Sequence, residues 1–196
     1  MRQPCDDFAN GHAAVNVTLD NFGTIGAGQL RGTLNGASFL TYCTDLFQSF
    51  SWNQSDTYSL VSNGSAHDFT ESQADSLGKL YTAAGGNATN TTDSVAFQLA
   101  VWEILCEAAP SSVAAGNFRL LSRASADQRN RADGWLAAVV NPLAAKSFSA
   151  QRLHSSVAQD FVVFTELPRP LPQPAPGPVP EPAGDALVGL ALAVLV

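Results

Sequence analysis

The sequence predicts an α+β fold: a β-sheet or sandwich with a helical insertion, followed by a proline-rich spacer and a truncated apolar C-terminal tail. Three observations lead there. The opening residues alternate apolar with polar side chains at period two, the middle of the chain switches to helical spacing between recognisable caps, and a late apolar run returns to the strand type.

Residues 14–20, Ala-Val-Asn-Val-Thr-Leu-Asp, predict the first strand, and 28–34 and 38–43 predict two more, separated by Gly and Asn. Residues 57–61 add a shorter candidate. Thr70 with Gln73 three residues later forms a capping-box pair ahead of Ala74, Leu77, Leu80 and Tyr81, and Gly85-Gly86 supplies the stop. A second helix is expected from Asp93 or Ser94 to Ala109, ended by Pro110. It is apolar on most sides, which predicts burial. A third, over 125–140, places Ala132, Trp135, Leu136 and Val139 on one face and stops at Asn141-Pro142. Residues 159–167, with Phe161, Val162, Val163 and Phe164, predict the returning strand. From Pro168 to Pro182 proline recurs too often for a packed core, so an extended polyproline-like spacer follows. The expected division is an N-terminal segment (1–13), one α+β domain (14–167), a Pro-rich linker (168–182) and a terminal signal (179–196).

Composition narrows the function classes. A formal charge of −7 and a pI near 4.7 leave no basic face, which argues against nucleic acid, because phosphate neutralisation needs clustered Lys and Arg. The body is rich in Ser, Thr, Asn and Gly and poor in Lys, as suits an exported bacterial protein. Cys5, Cys43 and Cys106 are isolated from one another, and His12, His67 and His154 form no ligand-spaced cluster with them, so zinc fits poorly and no cofactor is expected.

The segment from Val179, with Pro180, Glu181 and Pro182 followed by the apolar run 186–196, resembles the start of a PEP-CTERM sorting signal. In that family the triplet precedes a membrane-spanning helix and a cluster of arginines, and an exosortase-type membrane peptidase processes the tag. The arginines have no counterpart here, and the apolar run falls short of the roughly 20 residues that cross a bilayer. The resemblance implies export to the cell surface or extracellular matrix of a Gram-negative-type bacterium, with transient membrane anchoring through the tail. Residues 1–7, Met-Arg-Gln-Pro-Cys-Asp-Asp, lack the apolar core of a secretory leader, so an N-terminal truncation or misplaced start codon is the expectation.

Two further segments stand out: Tyr42-Cys43-Thr-Asp45 at the end of a predicted strand and Gln98-Leu99-Ala100-Val101-Trp102 in the buried helix. Together they resemble the halves of the internal thioester in bacterial thioester domains, where a Cys after an aromatic residue bonds to a Gln within Gln-x-Ala-aliphatic-Trp. Phe97 departs from the family, which often has Thr before the Gln. The resemblance implies a Cys43–Gln98 cross-link, with Tyr42 and Trp102 shielding it and Asp45 orienting the site or helping to deprotonate an incoming amine. Thiolate attack on a carboxamide with loss of ammonia requires Cys and no other side chain. If Cys43 is consumed in this way, Cys5 and Cys106 remain as a possible disulfide, although sequence leaves all three pairings open. The resulting expectation is a non-enzymatic surface protein that captures an amine or hydroxyl covalently. A passive structural or exopolysaccharide-associated domain is the alternative, and a cysteine hydrolase using one of the histidines ranks third.

Overall fold

The computed structural model describes residues 2–3, 5–19, 23–61 and 65–169. In chain order its elements are β1 (Arg2–Gln3), β2 (Cys5–Val17), β3 (Ile25–Leu34), β4 (Ala37–Thr41), β5 (Asp56–Thr57), β6 (Ser59–Leu60), α1 (Glu71–Ala83), α2 (Thr91–Cys106), β7 (Leu120–Ser122), α3 (Ala126–Val139), β8 (Phe148–His154) and β9 (Phe161–Glu166). Mixed helices and antiparallel sheets make this an α+β protein, as expected. The expected linker over 168–182 falls almost wholly, and the signal over 179–196 with Pro180, Glu181 and Pro182 entirely, outside the described residues.

One sheet has the order β4-β3-β2-β7, a second β6-β8-β9, and β1 pairs with β5. The first two meet where the chain leaves β4. There Cys43 bridges Phe161 of β9, the Thr44 N–H donates to the Asp160 carbonyl (3.0 Å), and the Val162 N–H donates to the Tyr42 carbonyl (3.2 Å). The Thr41 hydroxyl adds a bond to the Val162 carbonyl at 2.6 Å. Every buried main-chain polar group needs such a partner, so this short ladder fixes residues 41–44 across two sheets.

The capping box read from sequence at Thr70 works as one, and the structure adds a second. Thr70 and Gln73 exchange reciprocal bonds at the start of α1, and Ser125 with Gln128 does the same for α3. Residues 94–104 of α2 are all buried, and the helix packs on β3, β2, α1 and α3. A helix apolar around its circumference has to be central.

Several boundaries differ from expectation. The strand expected over 14–20 begins at Cys5, so residues 5–13, expected to precede the domain, pair with β3. Register shifts between Cys5 and Asp7 and between Phe8 and His12, with Gly11 at φ +84°, break the period-two pattern there and conceal the strand. The candidate over 57–61 divides into β5 and β6, which pair in different sheets. Asn90 accepts the Asp93 N–H, so α2 starts at Thr91 rather than Asp93. It ends at Cys106, short of the expected Ala109, because Glu107 turns out of the helix and accepts the Phe118 N–H from the following connector at 2.8 Å.

Candidate functional site

The site is built on α2 and on the chain just past β4. Gln98 has no exposed surface, and a buried carboxamide has to find partners for both its oxygen and its nitrogen. It finds them on one residue. The Cys43 N–H donates to Gln98 Oε1 at 2.9 Å, and Gln98 Nε2 donates to the Cys43 carbonyl at 2.8 Å. The pairing fixes which end of the amide is oxygen, since the opposite orientation would set donor against donor. Fifty-five residues of sequence separate the pair, yet the carboxamide carbon of Gln98 is clamped against the main chain from which the Cys43 thiol branches.

Neighbouring side chains seal this junction. Tyr42 is buried with its ring 4.4 Å from Phe97, and burial drives its phenol pKa well above the usual range, so it remains neutral. Ala100 is fully buried in the core. Trp102, 1% exposed, stacks at a tilt on Phe118 with centroids 6.2 Å apart. Asp45 caps a turn: its Oδ1 accepts the Phe47 N–H at 2.7 Å and its carbonyl accepts from Gln159 Nε2 at 2.7 Å.

A cavity of about 350 Å³ opens beside the junction. Cys43, 5% exposed, is in its wall together with Asp45 and Trp102. Gln98 is not, so the carboxamide lies behind the cysteine as seen from solvent. The structure therefore brings together Cys43, Gln98, Asp45 and Trp102, and keeps Tyr42 and Ala100 as packing behind them.

No family model, curated protein or solved structure matches this chain. The reading of the site accordingly stands on its geometry.

Two further expectations meet the structure here. Cys106 holds a free thiol, and the Cys5 side chain, its possible disulfide partner, lies outside the described residues. Burial, with Glu107, Glu103 and Asp45 nearby, pushes the Cys106 pKa up to about 11, which leaves the thiol protonated and unreactive at neutral pH. No histidine lines the cavity that holds Cys43. His12 stacks on Phe8, His67 stacks on His154, and His154 Nδ1 lies 3.0 Å from both oxygens of the buried Asp160. Among the described residues no group of three or more His, Cys, Asp or Glu is placed to hold a metal ion, and no helix is long and apolar enough to cross a membrane.

Sequence reasoning missed the far wall of the cavity, formed by Phe8, Gln48, Phe50 and Trp52. A usable signal was present in the run Phe47-Gln-Ser-Phe-Ser-Trp52, where aromatic residues alternate with polar ones in a loop directly after the cysteine.

Proposed function

We propose that this protein captures a nucleophile covalently through an internal thioester between Cys43 and Gln98, as an exported bacterial surface or matrix protein. The single observation that supports this is the double hydrogen bond between the Gln98 carboxamide and the Cys43 main chain. In the proposed step the thiol sulfur attacks Gln98 Cδ. Negative charge develops on Oε1, where the Cys43 N–H already stands at 2.9 Å to stabilise it. The C–N bond then breaks, and the amide nitrogen leaves as ammonia with the proton given up by the thiol. Proximity imposed by folding replaces a separate catalyst.

Discharge reverses the logic. A primary amine attacks the thioester carbonyl, a C–N bond forms, the C–S bond breaks, and the Cys43 thiol is regenerated while the target stays attached as a substituted amide. Once ammonia has gone, the Cys43 carbonyl that had accepted from Nε2 is open to the N–H of the incoming amine. Asp45, in the same cavity wall, is the group available to take the displaced amine proton and pass it to the leaving Cys43 thiolate. Complete burial of Gln98 slows the competing hydrolysis. The turnover is single, so the chain is a reagent and not an enzyme, and it needs no cofactor.

Export rests on the C-terminal resemblance. Pro180, Glu181 and Pro182 with the apolar run behind them support an exosortase-type peptidase as the sorting partner and the membrane as a transient anchor. A polysaccharide or a protein surface bearing amines or hydroxyls is the proposed target.

A second reading has a specific observation in its favour. The same two bonds satisfy the carboxamide completely, so Gln98 also serves as a neutral brace in a passive domain. Intact mass separates the two. The thioester makes the purified chain lighter by one ammonia, Cys43→Ala abolishes the deficit, and methylamine adds to the wild type alone. Wild type at full mass with a titratable Cys43 thiol overturns the thioester reading in favour of the brace.

A further inference from the structure

We propose that the cavity beside Cys43 is a selective pocket for the arriving nucleophile, fitted to a primary amine on an unbranched apolar stem, and that Trp52 with Phe8 and Phe50 does the selecting. The proposal rests on the thioester reading above and goes on to the specificity of the same site.

Part of the cavity wall is a continuous aromatic surface. The Trp52 ring meets Phe8 edge-on at 5.2 Å and Phe50 at 4.8 Å. Trp52 is 45% exposed and lines the cavity. Phe8 reaches the cavity because β3 offers no side chain beneath it: a Cβ on Gly26 would lie 2.7 Å from the end of the Phe8 ring. About 350 Å³ is far more than a methylamine fills, given roughly 30 Å³ for one water.

Amines and alcohols are both nucleophiles that a thioester accepts, and charge decides between them. Asp45 is the one ionisable oxygen acid in the wall, no Lys, Arg or His side chain lines it, and aromatic faces attract an alkylammonium. A neutral alcohol gains nothing from the aromatic faces as a cation would, and from Asp45 only the weaker bond of an uncharged donor. The aromatic wall then rewards the stem, with each added methylene raising the capture rate by about threefold until the pocket is full.

The test follows the rate of adduct formation by intact mass on the full chain, with methylamine, n-propylamine, n-pentylamine, tert-butylamine and 1-pentanol. Wild type is expected to speed up along the unbranched series, to disfavour the branched amine, and to react at least tenfold more slowly with the alcohol. Trp52→Ala, at a half-exposed site, should bring the pentylamine-to-methylamine rate ratio down toward one, and Trp52→Phe should restore much of it. Equal rates for all unbranched amines in a wild type that shows the ammonia deficit would overturn the pocket while leaving the thioester standing. So would a ratio unchanged by Trp52→Ala. A wild type with no deficit would overturn both.

Discussion

Two of the buried polar side chains of helix α2, Gln98 and Glu103, stand five positions apart and solve the same problem in different ways. Gln98 and Glu103 are each at most 1% exposed, and each accepts a main-chain N–H from a segment outside the helix. Gln98 is neutral, and both ends of its amide are used. Glu103 accepts the Ser111 N–H at 3.0 Å, whereas its Oε2 meets no donor at hydrogen-bond geometry. Burial, with Glu107 and Asp133 close by, holds its pKa above the usual carboxylate range despite the Ser111 bond. A neutral brace holds its segment at any pH. A buried carboxylate holds its segment under protest, so the connector over 107–119 is the part of the molecule that ought to respond to acid and base.

The comparison breaks most visibly at Gln98. Gln98→Ala removes both side-chain bonds to the Cys43 main chain in a dry site and opens a cavity, for an expected loss of about 2–5 kcal/mol in urea unfolding. Measured against chain at full mass, in which the thioester is open, Cys43→Ala removes only a small side chain and keeps both bonds, so its loss should be about 1 kcal/mol. Were the two variants equally stable, the Gln98 bonds would not be holding residues 41–44 in place, and the brace reading would lose its anchor.

Glu103→Gln tests the other member. A folded-state pKa raised above the unfolded one means that the protonated group stabilises below the ordinary glutamate range, and that this stability is lost as pH rises through the folded pKa. Glutamine stays neutral throughout. The variant is therefore expected to match wild type near pH 4 and to melt higher at pH 7, by an amount on the order of a few degrees. A variant that melts lower at pH 7 would show that the Ser111 bond to a full charge outweighs the burial cost. The connector matters to the site because its Phe118, fully buried, backs Trp102 at the cavity wall. Its geometry is tight: Gly116 sits at φ +94°, and any side chain there would strike the Glu107 carboxylate that holds Phe118 and Asn117.

How much of this was legible in sequence depends on whether the signal is local. The capping box at Thr70 is set by a four-residue window and emerges as read, and the third helix starts directly after Ser125. Cys43 and Gln98 were paired by motif, and their contact across 55 residues follows that pairing. Other features depend on neighbours that no window contains. β7 is three residues long and forms only because β2 offers an edge, and β8 has too irregular a pattern to stand out. The Cys5–Cys106 pairing came from counting cysteines, and counting carries no geometry; Cys106 remains a thiol on α2. The aromatic wall of the cavity needed β2, β3 and the loop after Cys43 to be assembled first.

Asp75 supplies the smallest effect and the opposite sign. It lies on α1, and its carboxylate meets Lys79 Nζ at 2.9 Å one turn on and Lys146 Nζ at 3.0 Å from the chain leading into β8. The Lys79 hydrogen bond, ahead of a smaller burial cost and the Lys146 bond, lowers its pKa. A lowered folded pKa contributes stability above the unfolded value, and that contribution is lost as pH falls through the folded one, the reverse of Glu103. Because the pair is largely solvated, Asp75→Asn should cost under about 1 kcal/mol at pH 7 and low salt. The cost should shrink in about 1 M salt, where screening is nearly complete, and vanish in acid below the carboxylate range. An Asp75→Asn penalty that survived both salt and acid would mean that the carboxylate acts through packing where α1 runs against β8. Gly78 marks how close that approach is, since a Cβ there would collide with the Phe148 carbonyl. In that event the contrast between charged and neutral braces drawn from α2 would not extend to the surface of the molecule.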